Sequence, residues 1–202
     1  RHLPDEVIHR LIDRDGVINA NRPDYVKSWE EFEFLPGSLE ALVQITALNW
    51  PVVVISNQSA IGRGLVSASS VAEINTRLCL EVEQAGGRIA AVYICPHRPD
   101  DGCDCRKPRP GLLHQAALAL DLDLSRSYLI GDAESDILAA LAVCAQPILV
   151  LSGRGEAQRP RLAGLEGTFQ VFNDLSEAAQ WILGRENIEE PRPYPYGRID
   201  EI

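Results

Sequence analysis

Two hundred and two residues, 46% hydrophobic and 24% charged, are enough to bury a substantial core and argue against disorder. Nineteen basic against twenty-nine acidic residues leave a net charge of −10, which opposes nonspecific binding to nucleic acid or an anionic membrane, so an anionic ligand needs a locally positive site. No apolar run approaches ~20 residues and no basic-then-apolar segment opens the chain, so neither a membrane span nor a signal peptide is expected and the cytosol is favoured. The chain has no methionine and begins at Arg1, so its natural start is expected upstream.

Val7 to Asp13 reads as the first strand, followed by a long polar loop from Arg14 to Phe34 that carries Tyr25, Trp29, Phe32 and Phe34. Gly37 to Leu48 has the apolar period of an amphipathic helix. Pro51 to Ser56, PVVVIS, is the kind of β-branched run that a strand buried on both faces requires. After the loop QSAIGRG, a helix spans Ser67 to Ala85, with Ser67 or Ser69 as N-cap and Gly86 and Gly87 as its stop. A strand over Ile89 to Cys95 enters a cysteine-rich loop, and a helix follows over Pro110 to Leu120. Tyr128 to Gly131 (strand), Glu134 to Cys144 (helix), Pro147 to Leu151 and Thr168 to Phe172 (strands) and Leu175 to Leu183 (helix) complete the pattern. Strands alternating with helices, without an internal repeat, predict an α/β fold with a Rossmann-like, doubly wound parallel sheet. Residues 1–184 are expected to form a single domain without a large cap, and residues 185–202, with three prolines, an irregular tail.

Polar groups fall at the ends of these strands. Asp13 and Asp15 stand one residue apart, so in an extended strand both side chains would project the same way. Two carboxylates so close are costly unless a cation offsets them, which makes a hard metal such as Mg²⁺ a natural partner. Read alone, DRDG also fits a solvated turn. Ser56 and Asn57 end the next strand, Lys107 follows the cysteine loop, and Asp132 and Asp136 follow another strand. Together these residues supply a nucleophilic carboxylate, a hydroxyl and amide for phosphate oxygens, a cation for developing charge and further carboxylate for a metal, a set suited to phosphoryl transfer. Cys95, His97, Cys103 and Cys105 lie within eleven positions, and four such ligands suit a closed structural Zn²⁺ site better than a disulfide framework, with free thiols as the alternative. His2, His9 and His114 show no partner.

In the order DRDGVIN, VVVISN, RKP and IGDAESD, the chain resembles the haloacid dehalogenase superfamily of phosphohydrolases over about residues 7–151. The resemblance implies Asp13 as the nucleophile that forms an aspartyl phosphate and Asp15 as general acid and then base. It further implies Mg²⁺ held by Asp13, the Asp15 carbonyl and Asp132, with Ser56, Asn57 and Lys107 on the phosphoryl group and Asp136 orienting Lys107 or Asp132. The zinc loop is similar to that of the branch acting on D-glycero-D-manno-heptose 1,7-bisphosphate or histidinol phosphate. NQSAIGRG, similar to the NQSGIARG of the heptose side, and RKPRPG, matching its RKPxPG, favour that side and a small phosphorylated sugar, with Arg63 and Arg106 contacting the sugar or its second phosphate. Histidinol phosphate and a catalytically silent binding module are the alternatives. Ala60 stands where glycine is common, and Ala133 stands where some members carry lysine, removing one positive charge near the metal.

Overall fold

The computed structural model describes residues 9–46 and 52–185. Six strands form one sheet: β1 (Arg10–Ile12), β2 (Val52–Asn57), β3 (Ile89–Cys95), β4 (Tyr128–Gly131), β5 (Gln146–Val150) and β6 (Gln170–Phe172). Every pairing is parallel, and the spatial order is β3-β2-β1-β4-β5-β6. The helices are α1 (Ser38–Thr46), α2 (Ser59–Gly62), α3 (Ala68–Gln84), α4 (Gly111–Leu120), α5 (Glu134–Ala142), α6 (Gly155–Gln158) and α7 (Leu175–Arg185).

Side chains alternate across the sheet, so one strand feeds two cores. Val52 and Val54 of β2 meet Leu42 and Ile45 of α1, Leu78 of α3 and Ile182 of α7 on one face. Val53 and Ile55 meet Leu112, Leu113 and Ala116 of α4 and Ala140 of α5 on the other. This double burial is why PVVVIS carries no polar residue before Ser56. Ser67 caps α3, its hydroxyl accepting from the Ser70 N–H at 3.0 Å.

β1 lies between β2 and β4, and the chain leaves β1 and β4 in opposite directions across the sheet. Their carboxyl ends form the crevice in which ligands bind in open α/β sheets. The register pairs Leu11 with Leu129 and Ile12 with Ile130, and the Asp13 N–H continues it by donating to the Ile130 carbonyl at 2.9 Å. The backbone of Asp13 is therefore tied to the strand that delivers Asp132.

Three expectations change. The segment 14–34 is not a polar loop throughout: Arg14, Val17, Ile18, Val26 and Phe32 are buried, and Trp29 stacks on Phe32 with centroids 4.8 Å apart. Its apolar residues follow no helical or strand period, so their burial leaves no pattern to read. The loop QSAIGRG contains the short helix α2, and α6 lies where no helix is expected; each is four residues long, too short for a period. The predicted first strand begins later, at Arg10, with Val7 and Ile8 outside the described residues. Pro51, Leu48 and residues 186–202 of the expected tail also lie outside them, while Arg185 closes α7. No helix among the described residues is long and apolar enough to cross a membrane.

Candidate active site

Asp13, Asp132 and Asp136 are buried, and each offers a carboxylate oxygen within 4.8 Å of the others. Asp13 extends β1, Asp132 follows β4, and Asp136 sits in the first turn of α5, where its Oδ2 accepts from the Ala133 N–H at 3.1 Å. Lys107 enters from the cysteine loop, almost completely buried. Its Nζ lies 2.6 Å from Asp136 Oδ1 and 3.0 Å from Asp13 Oδ1, and donates to the Ile55 carbonyl at 2.6 Å. One lysine thus binds the ends of β1 and β2 and the start of α5.

Burial pushes the Asp13 carboxyl up to about 6; Lys107 opposes the shift, while Asp136 and Asp15 add to it. Burial and the neighbouring Asp13 likewise raise Asp132, against Arg154. Burial alone would lower Lys107, but Asp13 and Asp136 outweigh it and hold the ammonium firmly charged. Three buried carboxylates, two of them on Lys107, form an oxygen-rich, anionic pocket, and a hard divalent cation fits that donor set.

Asp15 lies at the same end of the sheet but belongs to a different cradle. β1 ends at Ile12, so strand alternation does not carry its side chain alongside that of Asp13. Its carboxylate accepts from Arg14 Nη2 at 3.1 Å, Asn19 Nδ2 at 2.9 Å and Gln58 Nε2 at 2.6 Å. Burial would raise its pKa, yet the Arg14 charge and these hydrogen bonds hold it below the usual carboxylate range. Arg14 is itself fully buried and donates to Asn75 of α3 at 2.9 Å.

Asp132 is walled by backbone. Gly16 (φ +89) and Gly153 (φ +60) approach so closely that a Cβ on either would collide with Asp132 Oδ2, and both backbones take the left-handed region that favours glycine. Asn21 Nδ2 and the Arg154 N–H each donate to Asp132 Oδ2 at 2.8 Å, and Arg154 Nη2 lies 3.5 Å from Oδ1. Ala133 brings no charge here; the nearby cation is the exposed Arg154.

Ser56 and Asn57 end β2 beside these groups. Ser56 is buried, its Oγ accepting from Gln58 Nε2 at 2.9 Å. Asn57 uses its side chain: Nδ2 donates to the Lys107 carbonyl and Oδ1 accepts from the Lys107 N–H, both at 3.1 Å. Arg63 is exposed at the end of α2. Arg106 Nη1 donates to the His97 carbonyl at 3.2 Å, which bridges the cysteine loop.

In that loop Cys95, His97, Cys103 and Cys105 converge. Cys95 Sγ lies 3.6 Å from His97 Nδ1 and from Cys103 Sγ; Cys105 Sγ lies 3.2 Å from Cys95 Sγ and His97 Nδ1 and 3.5 Å from Cys103 Sγ. Ligands of tetrahedral zinc stand about 3.5–3.8 Å from one another, so the cluster has the size and the soft donors that Zn²⁺ takes. Burial and the adjacent sulfurs push the Cys95 thiol up to about 12, a penalty that a bound cation would relieve.

Residue patterns passed over Arg14, Asn19, Asn21, Gln58 and Arg154. Asn21 and Asp132 are 111 positions apart, and no spacing announces such a contact.

A family model described as HAD-hydrolase-like matches residues 104–178. D-glycero-beta-D-manno-heptose-1,7-bisphosphate 7-phosphatase of Pseudomonas putida is 40% identical over 173 residues, covering 86% of this chain and 98% of that protein. This chain belongs to the heptose-bisphosphatase family of HAD-like hydrolases. A second family member, from Bordetella bronchiseptica, is 39% identical over 173 residues, spanning 86% of this chain and 96% of its own. The crystal structure of D,D-heptose 1,7-bisphosphate phosphatase from B. bronchiseptica, complexed with magnesium and phosphate, superposes on this family member with a TM-score of 0.83 at 37% identity, covering 88% of this chain and 99% of that one. The enzyme of that name from Burkholderia thailandensis gives a TM-score of 0.68 at 30% identity, covering 87% and 98%.

Proposed function

We propose that this HAD-like hydrolase removes the 7-phosphate of D-glycero-D-manno-heptose 1,7-bisphosphate, with Asp13 as nucleophile. The observation that carries the reading is the convergence of Asp13, Lys107, Asp132 and Asp136 at the sheet crevice, with Ser56 on the adjacent strand. The names of the relatives supply the substrate.

A free Asp13 oxygen attacks phosphorus while the bond from phosphorus to the sugar oxygen breaks, leaving an aspartyl phosphate. Asp15, ionised at rest, first takes up a proton; in that form it protonates the departing oxygen, then takes a proton from the water that adds to phosphorus, and the second step returns Asp13 and inorganic phosphate. Lys107 and the Ser56 hydroxyl face the phosphoryl oxygens, Asn57 fixes Lys107 through its backbone, and Asp136 holds the ammonium in line. Mg²⁺, which Asp13, the Asp15 carbonyl and Asp132 would hold, neutralises phosphoryl charge when bound. Zn²⁺ on Cys95, His97, Cys103 and Cys105 would brace the loop that carries Arg106 and Lys107. Arg63 and Arg106 are the cations assigned to the second phosphate, and they disfavour the cationic amine of histidinol phosphate.

Phosphate release with Mg²⁺ from the heptose bisphosphate and from histidinol phosphate, run in parallel, tests this reading. The expected result is release from the heptose alone, reduced by at least ~10⁴-fold in Asp13→Asn. Turnover of histidinol phosphate alone would overturn the substrate, and release from neither would favour a silent binding module.

A further inference from the structure

Gln58 belongs to none of the assigned roles, yet it touches two of them. It is 3% exposed, and its single amide nitrogen lies 2.6 Å from Asp15 Oδ2 and 2.9 Å from Ser56 Oγ. The amide nitrogen, not the amide oxygen, lies against both partners, and a carboxylate oxygen and a hydroxyl oxygen can each accept from it. Its two protons then have separate destinations, one on the Asp15 carboxylate and one on the Ser56 oxygen. Because Ser56 accepts from Gln58, its own proton is left to point elsewhere, toward a phosphoryl oxygen in the crevice. The Gln58 backbone is held as well: its N–H donates to the Cys95 carbonyl at 2.8 Å, at the entrance to the cysteine loop.

We infer that Gln58 is a positioning residue that aims the Asp15 carboxylate at the leaving oxygen and turns the Ser56 hydroxyl toward the phosphoryl group. It acts through those two residues and touches neither the reacting atoms nor a metal. The inference rests on the proposed phosphatase reading and extends it to a residue that chooses the direction of two protons.

The test separates proton delivery from general damage by varying the leaving group. Gln58→Met keeps the length and removes both donors; Gln58→Glu keeps the shape and replaces the donating amide with a carboxylate, and serves if the methionine variant does not fold. With Mg²⁺-loaded enzyme in excess, single-turnover release of the alcohol is measured from the heptose bisphosphate and from 2,4-dinitrophenyl phosphate, whose leaving group needs no proton. The expected loss is about 10²-fold for the sugar, the scale of a displaced general acid, and less than about 10-fold for the aryl ester. A double-mutant cycle with Ser56→Ala on the aryl ester should be non-additive, since Gln58 then acts only through Ser56. Equal losses on both esters, or no loss on either, would overturn the inference. Absence of turnover by the wild-type chain would instead sink the phosphatase reading, so the two failures are distinguishable.

Discussion

Lys107 has the most demanding position of any side chain in the site. It is a buried cation among Asp13, Asp136 and the Ile55 carbonyl, and its removal would leave carboxylates facing one another without compensation. Breaking a buried ion pair from one side costs ~3–5 kcal/mol. Lys107→Met should therefore lose about that much stability in urea unfolding with a chelator present, and Mg²⁺ should restore part of it by supplying the missing charge. A loss below ~1 kcal/mol would mean that the carboxylates protonate cheaply instead. At this scale the positions of Asp13, Ser56 and Asp132 were legible in the sequence, because each sits where an apolar run stops and a polar residue begins, and that of Lys107 because it directly follows the cysteine loop. Gln58, Asn21 and Arg154 were not, because each acts on a partner that only tertiary structure brings near, as Arg154 does on Asp132.

The cysteine loop and the β2–α2 turn behave as one element. The Gln58 N–H reaches the Cys95 carbonyl, the Gly62 N–H reaches the Pro96 carbonyl at 2.9 Å, and Asn57 pairs reciprocally with the Lys107 backbone. A disturbance of the thiol cluster is thereby passed to Lys107 and Ser56, residues distant from it in chemistry. Cys103→Ser should reduce zinc from about one ion per chain to near zero by atomic spectroscopy. It should open residues 96–110 to protease and lower phosphate release by about 10²-fold, the cost of a catalytic group displaced by roughly 1 Å. Unchanged activity in a zinc-free variant would show that the loop needs no metal to place Lys107. The strands were readable at this scale because β-branched apolar runs mark them, and α3 and α4 because their period is sustained over ten residues or more. The 14–34 segment was not, since Val17, Ile18, Val26 and Phe32 are buried by long-range packing against the α1–α3–α7 face.

Across the whole molecule, the buried site makes stability depend on pH and on metal together. Asp13 is raised from 3.8 to about 6, so the folded chain holds more protons than the unfolded chain in that window. Its contribution to stability is greatest at low pH and is lost as pH rises through about 6. His9, lowered from 6.5 to about 4 by burial, runs the other way: the unfolded chain takes up the proton first, and stability falls as pH falls from 6.5 toward 4. Without metal the two slopes oppose each other. A cation bound at Asp13 and Asp132 needs both carboxylates ionised, so the Mg²⁺-induced rise in unfolding midpoint should grow between pH 4 and pH 7. At a free Mg²⁺ concentration 100 times its Kd the stabilisation should be about 2.7 kcal/mol. Thermal scans at fixed Mg²⁺ across that range check this, and a pH-independent rise would place the cation elsewhere.

The position of β1 in the middle of the sheet also sets a timetable for synthesis. Its partner β4 is translated about 120 residues after it. At about 5–20 residues per second, the strand bearing Asp13 waits roughly 6–24 s before that neighbour has been made. Throughout that interval the apolar edge of Leu11 and Ile12 lacks its second strand, and Asp13 has no Asp132 beside it. The nascent chain is therefore adhesive while its carboxylate cluster is incomplete, and that cluster can close only once β4 and the start of α5 have been made.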